Sequence, residues 1–185
     1  PTASLTKNLE GNNMTEFGLL QKKGIIAFTD GIKTIQNTRL MSRIMKSAYD
    51  LNSLILQHAE DLELSKDGMI NDGIIATKLG LQGISDLAEL VIIERDLTLL
   101  ESIKCRYHIS QISSAKSVNI IKEKKQKVKF TCGVSINNLS LNENDIGDFR
   151  TFLKLSPPLR TEEDRTSLVD GLNNKTIDVI VSDHK

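Results

Sequence analysis

Short apolar runs alternate along this chain with longer segments of helical period. GIIAFTD, LILQHAE, CRYHISQIS, VKFTCGVS and TIDVIVSDH predict strands. The first is β-branched and almost wholly apolar, the pattern of a sheet covered on both faces. Between the strands lie helical patterns. In NTRLMSRIMKSAYDL, Leu40, Met41, Ile44, Met45, Ala48 and Leu51 recur on one face, and Asn37 stands where a cap is needed. DLAELVIIERDLTLLESI follows Ser85 as a cap, with Leu87, Leu90, Val91, Leu97 and Leu100 as its expected buried stripe. SAKSVNIIKEKKQK and TEEDRTSLVDGLNN are two more helices, the second opened by a Thr-x-x-Asp near-capping box. A short helix, EFGLLQKK, is expected to be capped by Thr15 and ended by Gly24. The stretch 61–84 is polar and glycine-punctuated, with room for a short helix near IIATKLG. INNLSLNENDIGDFRTFLKLSPPLR is a long connection without a clear period. Repeated strand–helix units predict an α/β fold with a parallel sheet and right-handed crossovers. Five such strands make either the arc of a barrel or an open sheet.

Four polar residues stand where these strands end: Asp30, His58, His108 and Asp183. In a parallel α/β barrel the strand C-termini gather on one face, and chemistry is built there. Histidine and aspartate in that place are raw material for a divalent-metal hydrolase site. Each has a plainer reading. His58 is a metal ligand or a core histidine bonded to backbone. Asp183, followed by His184, is a ligand and general base or a helix-capping carboxylate. His108 is a ligand or a packed residue; strand alternation lets it share a face with Ser110 and not with Gln111. Asp30 approaches a metal or shapes the turn before Gly31. The Lys122–Lys129 run reads as a solvated helix end. GLQGIS lacks the context of a phosphate loop, and no serine nucleophile elbow is present.

With 24 basic and 24 acidic residues the formal charge is zero, so nothing calls for nucleic acid or an anionic membrane. Five Phe, two Tyr and no Trp argue against a base-stacking platform. No apolar run approaches the roughly 20 residues of a membrane span. Cys105 and Cys132 have no metal spacing and read as reduced, buried thiols of a cytoplasmic protein. The chain opens at Pro1 and stops at SDHK directly after a strand pattern, which suggests a piece of a longer protein. Its 185 residues are expected to form a single domain.

MTEFGLLQKKGIIAFTDG, LILQHAED, RYHISQIS, NLSLNENDIGDFRTFLKLSPPLR and NKTIDVIVSDH occur in this order. Together they resemble the long-chain bacterial dihydroorotases of the amidohydrolase superfamily, over essentially the whole chain. KLSPPLR followed by TIDVIVSDH is the most specific part. The resemblance implies part of a TIM-type (β/α)8 barrel, roughly its strands 4 to 8. It also implies zinc-dependent, reversible cyclisation of N-carbamoyl-L-aspartate to dihydroorotate in pyrimidine biosynthesis. The family's His-x-His strand and the arginine beside it are not in this sequence. His58 matches the fifth-strand metal histidine, and Asp183 the eighth-strand aspartate that binds metal and shuttles the proton. The sixth-strand metal histidine falls on Gln111, and His108 matches a neighbouring non-ligand histidine. The bridging carboxylate falls on Gly31, with Asp30 one place earlier. A substrate-contacting asparagine is Ser156, a paired histidine is Asn137–Asn138, and Lys185 replaces an alanine.

These departures leave open whether two zinc ions, one or none are held, since a catalytic zinc needs about three protein ligands plus water. The first implied function is therefore a working dihydroorotase, with Asp183 as the proton acceptor and Ser156 and Gln111 toward the substrate. The second is an inactive dihydroorotase-like subunit that scaffolds aspartate transcarbamoylase. The third is another cyclic-amide hydrolase, such as a hydantoinase. A half barrel exposes edge strands and helix faces, so aggregation or association with another piece is expected; a homodimer or aspartate transcarbamoylase is the candidate macromolecular partner.

Overall fold

A computed structural model of the chain describes residues 1–148 and 150–183. Its strands are β1 (Thr2–Ala3), β2 (Ala27–Phe28), β3 (Leu54–Gln57), β4 (Ile70–Asn71), β5 (Gly83–Ile84), β6 (Arg106–Ile112), β7 (Thr131–Ser135) and β8 (Val179–Val181). Its helices are α1 (Phe17–Lys22), α2 (Thr38–Asp50), α3 (Ile74–Leu79), α4 (Leu87–Ile103), α5 (Ala115–Lys124), α6 (Ile136–Ser140) and α7 (Glu162–Asn173). Among the described residues six strands pair in parallel, in the order β1-β2-β3-β6-β7-β8. The order never reverses, so right-handed crossovers place α2, α4, α5 and α7 side by side on one face. That single winding is the arc of a barrel. The five expected strands are joined by β1, whose two residues lie at the edge and carry too little pattern to be read.

The core fills the space between the sheet and this helix layer. Ile55, Tyr107, Ile109, Cys132 and Val134 point into it from the strands. Met41, Ile44 and Met45 of α2 meet them, with Ile92, Ile93, Leu97 and Leu100 of α4, and Ile121 of α5. Phe17 and Phe28 stack with centroids 3.8 Å apart. The opposite face carries Leu54, Leu56, His108 and Thr131, which are half-buried or exposed. In β2, the strand read as covered on both faces, Ala27 and Phe28 are both buried, while Ile26 just before them is 68% exposed.

Two local readings also change. Thr15 does not cap α1; its hydroxyl donates to the carbonyls of Ser4 (2.7 Å) and Leu5, and Glu16 holds the cap position. In α4, Leu87 and Val91 are 50% and 46% exposed, while Glu89 and Asp96 are buried. This helix is apolar around most of its circumference, so period alone cannot choose the inner face. Its two carboxylates choose it by bonding to β6 and the residues after it.

Asp96 accepts from the Tyr107 hydroxyl at 2.7 Å and pairs with Arg95 at 2.8 Å. Burial raises its carboxyl pKa, with Arg95 opposing, and burial beside Asp96 holds the Tyr107 phenol well above its ordinary range. Tyr107→Phe leaves one carboxylate oxygen without that donor. We expect a loss of about 1–3 kcal/mol, read as roughly 2–4 °C of melting temperature per kcal/mol. An unchanged melting curve would show that this bond carries no stability.

The 61–84 stretch holds α3 as expected, together with the separate parallel pair β4–β5. Gly68 is required there, because a Cβ would stand 2.2 Å from the Ile84 side chain. The long connection folds against this pair through a second apolar cluster of Ile70, Ala76, Ile146 and Leu159. Both cysteines are buried, which pushes their thiols up to about 12. Within the lysine run, Lys124, Lys125 and Lys127 pair with Glu101, Asp178 and Glu123.

Candidate functional site at the C-terminal edge of the sheet

Because the six strands are parallel, their C-terminal ends share one edge. Asp30, His58, Gln111 and Asp183 all follow or close strands there.

His58 comes directly after β3, and its side chain is 3% exposed. Thr34 and Gln36 pin the backbone around it. The Thr34 hydroxyl donates to the His58 carbonyl at 2.7 Å and accepts from the Glu60 amide at 3.1 Å. The Gln36 side-chain amide donates to the Glu60 carbonyl at 2.8 Å. The imidazole Nε2 lies 3.0 Å from Glu60 Oε2. Ser156, from the long connection, completes a triangle. Its Oγ donates to the same Glu60 oxygen at 3.1 Å and stands 3.2 Å from His58 Nε2. The hydrogen bond with His58 is the main reason the Glu60 carboxyl is held down to about 2; burial opposes it, and Ser65 and Ser156 add to it.

The structure thus brings His58 and Ser156 together. It places Asp30 elsewhere. Asp30 Oδ1 accepts from the amides of Leu5 (2.7 Å) and Thr6 (3.0 Å), and Oδ2 accepts from the Thr6 hydroxyl. Both oxygens are spent on holding the segment after β1. Gly31 next to it has φ +69°, a conformation that disfavours the side chain a bridging carboxylate would need. Asp183 follows β8 and is half-buried, with φ +49°. His184 and Lys185 lie outside the described residues.

Gln111 is half-buried at the end of β6. The β6–β7 ladder shifts register between Ile109 and Ile112, so strict alternation, which set His108 and Gln111 on opposite faces, does not run through this point. His108 sits on the helix-free face with Nδ1 2.7 Å from Thr131 Oγ1, and partial burial lowers its pKa. Of the paired residues Asn137–Asn138, Asn138 is buried and donates to the Pro158 carbonyl at 2.9 Å.

Beside His58 lies a small cavity lined by Glu60, Glu89, Pro157, Pro158 and Arg160. Arg160 is 4% exposed. Its Nε donates to Ser113 Oγ at 3.1 Å, and Nη1 to Asn71 Oδ1 at 2.8 Å and the Ile84 carbonyl at 2.6 Å. Glu89, equally buried, accepts from the Ser113 amide at 3.0 Å and from the hydroxyls of Ser113 and Ser117. Glu60, Glu89 and Arg160 were not among the residues expected from sequence. For Glu60 the available signal was its place two residues after His58. For Arg160 it was the end of KLSPPLR. Glu89 gave none, being one acid in a helix.

The fit to a metal ion is partial. Among the described residues no group of three His, Cys, Asp or Glu side chains could hold one. His58 by itself has the chemistry of a ligand: a buried imidazole with one nitrogen held by a carboxylate.

The sequence model of a family described as "Dihydro-orotase-like" matches residues 1–117. A dihydroorotase of Ehrlichia canis is 43% identical over 184 residues, covering 98% of this chain and 41% of the relative. One of Syntrophus aciditrophicus is 42% identical over 185 residues, covering 100% of this chain and 43% of the relative. Among solved structures, L-hydantoinase (dihydropyrimidinase) from Arthrobacter aurescens superposes with TM-score 0.78 at 21% identity, covering 99% of this chain and 42% of that one. Dihydroorotase in complex with 5-fluoroorotic acid from Saccharomyces cerevisiae superposes with TM-score 0.64 at 15% identity, covering 92% and 48%. At such identities these likenesses speak to the fold alone, and they agree with the expected arc of a TIM-type barrel. The chain spans about two-fifths of the length of the curated relatives it matches.

Proposed function

The chain belongs to the dihydroorotase-like family, and from that premise we propose that the protein to which it contributes is a dihydroorotase, reversibly cyclising N-carbamoyl-L-aspartate to dihydroorotate in pyrimidine biosynthesis. The observation that carries this reading is the part-buried His58–Glu60–Ser156 triangle at the C-terminal edge of the sheet, the edge on which barrels of this kind build chemistry. Identity above 40% to proteins named for this reaction supports it. The chain would supply roughly strands 4 to 8 of the barrel.

His58 and Asp183 are the residues that would hold a metal ion, zinc by the family resemblance. Asp30 is left out of this set because its oxygens are already engaged. A bound zinc supplies a polarised carbonyl and a more acidic water. In the hydrolytic direction water adds to the ring carbonyl carbon, the ring C–N bond breaks and the nitrogen takes a proton. Asp183 accepts the water's proton on its carboxylate and returns it to the leaving nitrogen. Gln111 would offer a polar group to the substrate; Ser156, the other expected contact, already engages Glu60 and His58 with its hydroxyl.

The test is ring opening of dihydroorotate by the full-length protein, with hydantoin and dihydrouracil as competing substrates. Dihydroorotate should be hydrolysed in preference to both. Absence of turnover, or preference for hydantoin, would overturn the reading.

A further inference from the structure

We propose that Gly133 and Glu89 are positioning residues: they hold a bulge in β6 that turns Gln111 out of the helix-side core and onto the face of the sheet that carries His108. This rests on the reading of Gln111 as a substrate contact. Burial along β6 shows the bulge. Tyr107 and Ile109 lie in the core, with His108 half-buried between them, as the alternation of a strand requires. Continued alternation would bury Gln111 next and turn Ile112 outward. Instead Ile112 is fully buried in the core, and Ser110 and Gln111 are both half-buried. The pairing with β7 agrees. Ile109 faces Cys132 and Ile112 faces Val134, so three steps along β6 match two along β7. The extra residue is a bulge, a feature that re-aims the side chains beside it. Here it gives the core an isoleucine in place of an amide.

Two parts outside the strand hold this geometry. Opposite the extra residue, between Cys132 and Val134, β7 has Gly133. A Cβ there would stand 2.5 Å from the Ser110 carbonyl oxygen and 3.1 Å from the Val179 side chain, so only glycine admits the bulged backbone. Beyond the bulge, Glu89 of α4 fixes where the chain continues. Its carboxylate accepts from the Ser113 amide at 3.0 Å and from the hydroxyls of Ser113 and Ser117. The Ser113 oxygen in turn accepts from Arg160 Nε at 3.1 Å. Charge sets the direction of both bonds, since a guanidinium only donates and a carboxylate only accepts. The strand is therefore anchored on each side of Gln111, by the ladder at Ile109 and by Glu89 at Ser113. The Gln111 amide carries both a donor and an acceptor, which suits the –CO–NH– edge of a cyclic amide. Gly133 and Glu89 act through the course of β6 and not on the substrate.

The test uses the full-length protein with two readouts. The first needs no turnover: Gln111→Cys and Ile112→Cys are made singly, and maleimide labelling of the folded protein is followed peptide by peptide by mass spectrometry. Cys105 and Cys132 are buried and give the unlabelled baseline. Position 111 should label at least about tenfold faster than position 112, because thiol reaction follows exposure; strict alternation gives the reverse order. Adding Gly133→Ala should shrink that ratio. Glu89→Gln, which leaves a donor of Ser113 or Ser117 without its acceptor, should shrink it too, and decides the matter if Gly133→Ala fails to fold. The second readout is KM for dihydroorotate. Gln111→Ala should raise it by about 2–10-fold, the worth of a neutral hydrogen bond. Gly133→Ala should raise it by a similar factor, and both changes together by no more than the larger, because they remove one contact. An equal or reversed labelling order, an order unchanged by both Gly133→Ala and Glu89→Gln, a KM unmoved by Gln111→Ala, or KM effects that multiply would overturn the proposal. Absence of turnover in wild-type protein would count against the functional reading instead, and labelling would still decide the roles of Gly133 and Glu89.

Discussion

His58→Ala in the full-length protein should lower kcat/KM for dihydroorotate by at least about a hundredfold, the upper end of what losing an outer partner of a metal ligand costs. The side chain is buried and its ring is held on one nitrogen by Glu60, so the substitution removes a fixed imidazole from this edge. Asp183→Ala should have an effect of the same order, since it removes the proposed proton acceptor. The two changes together should cost little more than the worse of them alone, because groups that act as one unit are far from additive. Circular dichroism of each variant separates loss of chemistry from loss of fold. Turnover within a few-fold of wild type in both single variants would remove His58 and Asp183 from the site.

Most of the architecture can be read from the amino-acid pattern, and the places where it cannot have physical reasons. The helix Thr38–Asp50 shows its inner face because Leu40, Met41, Ile44, Met45 and Ala48 are flanked by polar residues. Asn37 caps it, with its side chain accepting from the Leu40 amide at 2.9 Å. α4 hides its inner face because apolar residues surround it, and the orientation is decided by where Glu89 and Asp96 find donors in a distant strand and loop. Such long-range pairing leaves no local period. The same holds at the candidate site. His58 is legible as a polar residue ending an apolar run. Its pairing with Ser156 joins positions 98 residues apart and needs the fold. Asp30 looks equally like a ligand in sequence, yet its oxygens are claimed by Leu5 and Thr6 from a segment whose strand is two residues long.

Arg160→Ala should destabilise the protein by about 3–5 kcal/mol, from several buried acceptors left unpaired at about 1–3 kcal/mol each. At roughly 2–4 °C per kcal/mol, the melting temperature should fall by about 10 °C or more. The magnitude follows from what the guanidinium satisfies. It reaches Ser113 beyond β6, Asn71 in β4 and the Ile84 carbonyl in β5; the Arg160 backbone carbonyl, which the substitution keeps, accepts from the Glu143 amide at 2.8 Å. Asn71 in turn donates to Glu143 at 2.6 Å. One side chain therefore ties the sheet edge, the β4–β5 pair and the long connection that carries Ser156. Removing it leaves buried acceptors without donors, each costing about 1–3 kcal/mol. Arg160→Lys should recover less than half, because an ammonium is a single point of donors and cannot span Ser113 and Asn71 as the planar fork does. Amide exchange at Asn71 and Ile84 should accelerate in both variants ahead of global unfolding, since these residues sit in the short β4–β5 ladder rather than the main sheet. A melting temperature within about 2 °C of wild type for Arg160→Ala would mean that the network stores less than about 1 kcal/mol, and that Ser156 is held against His58 by the apolar contacts of the connection alone.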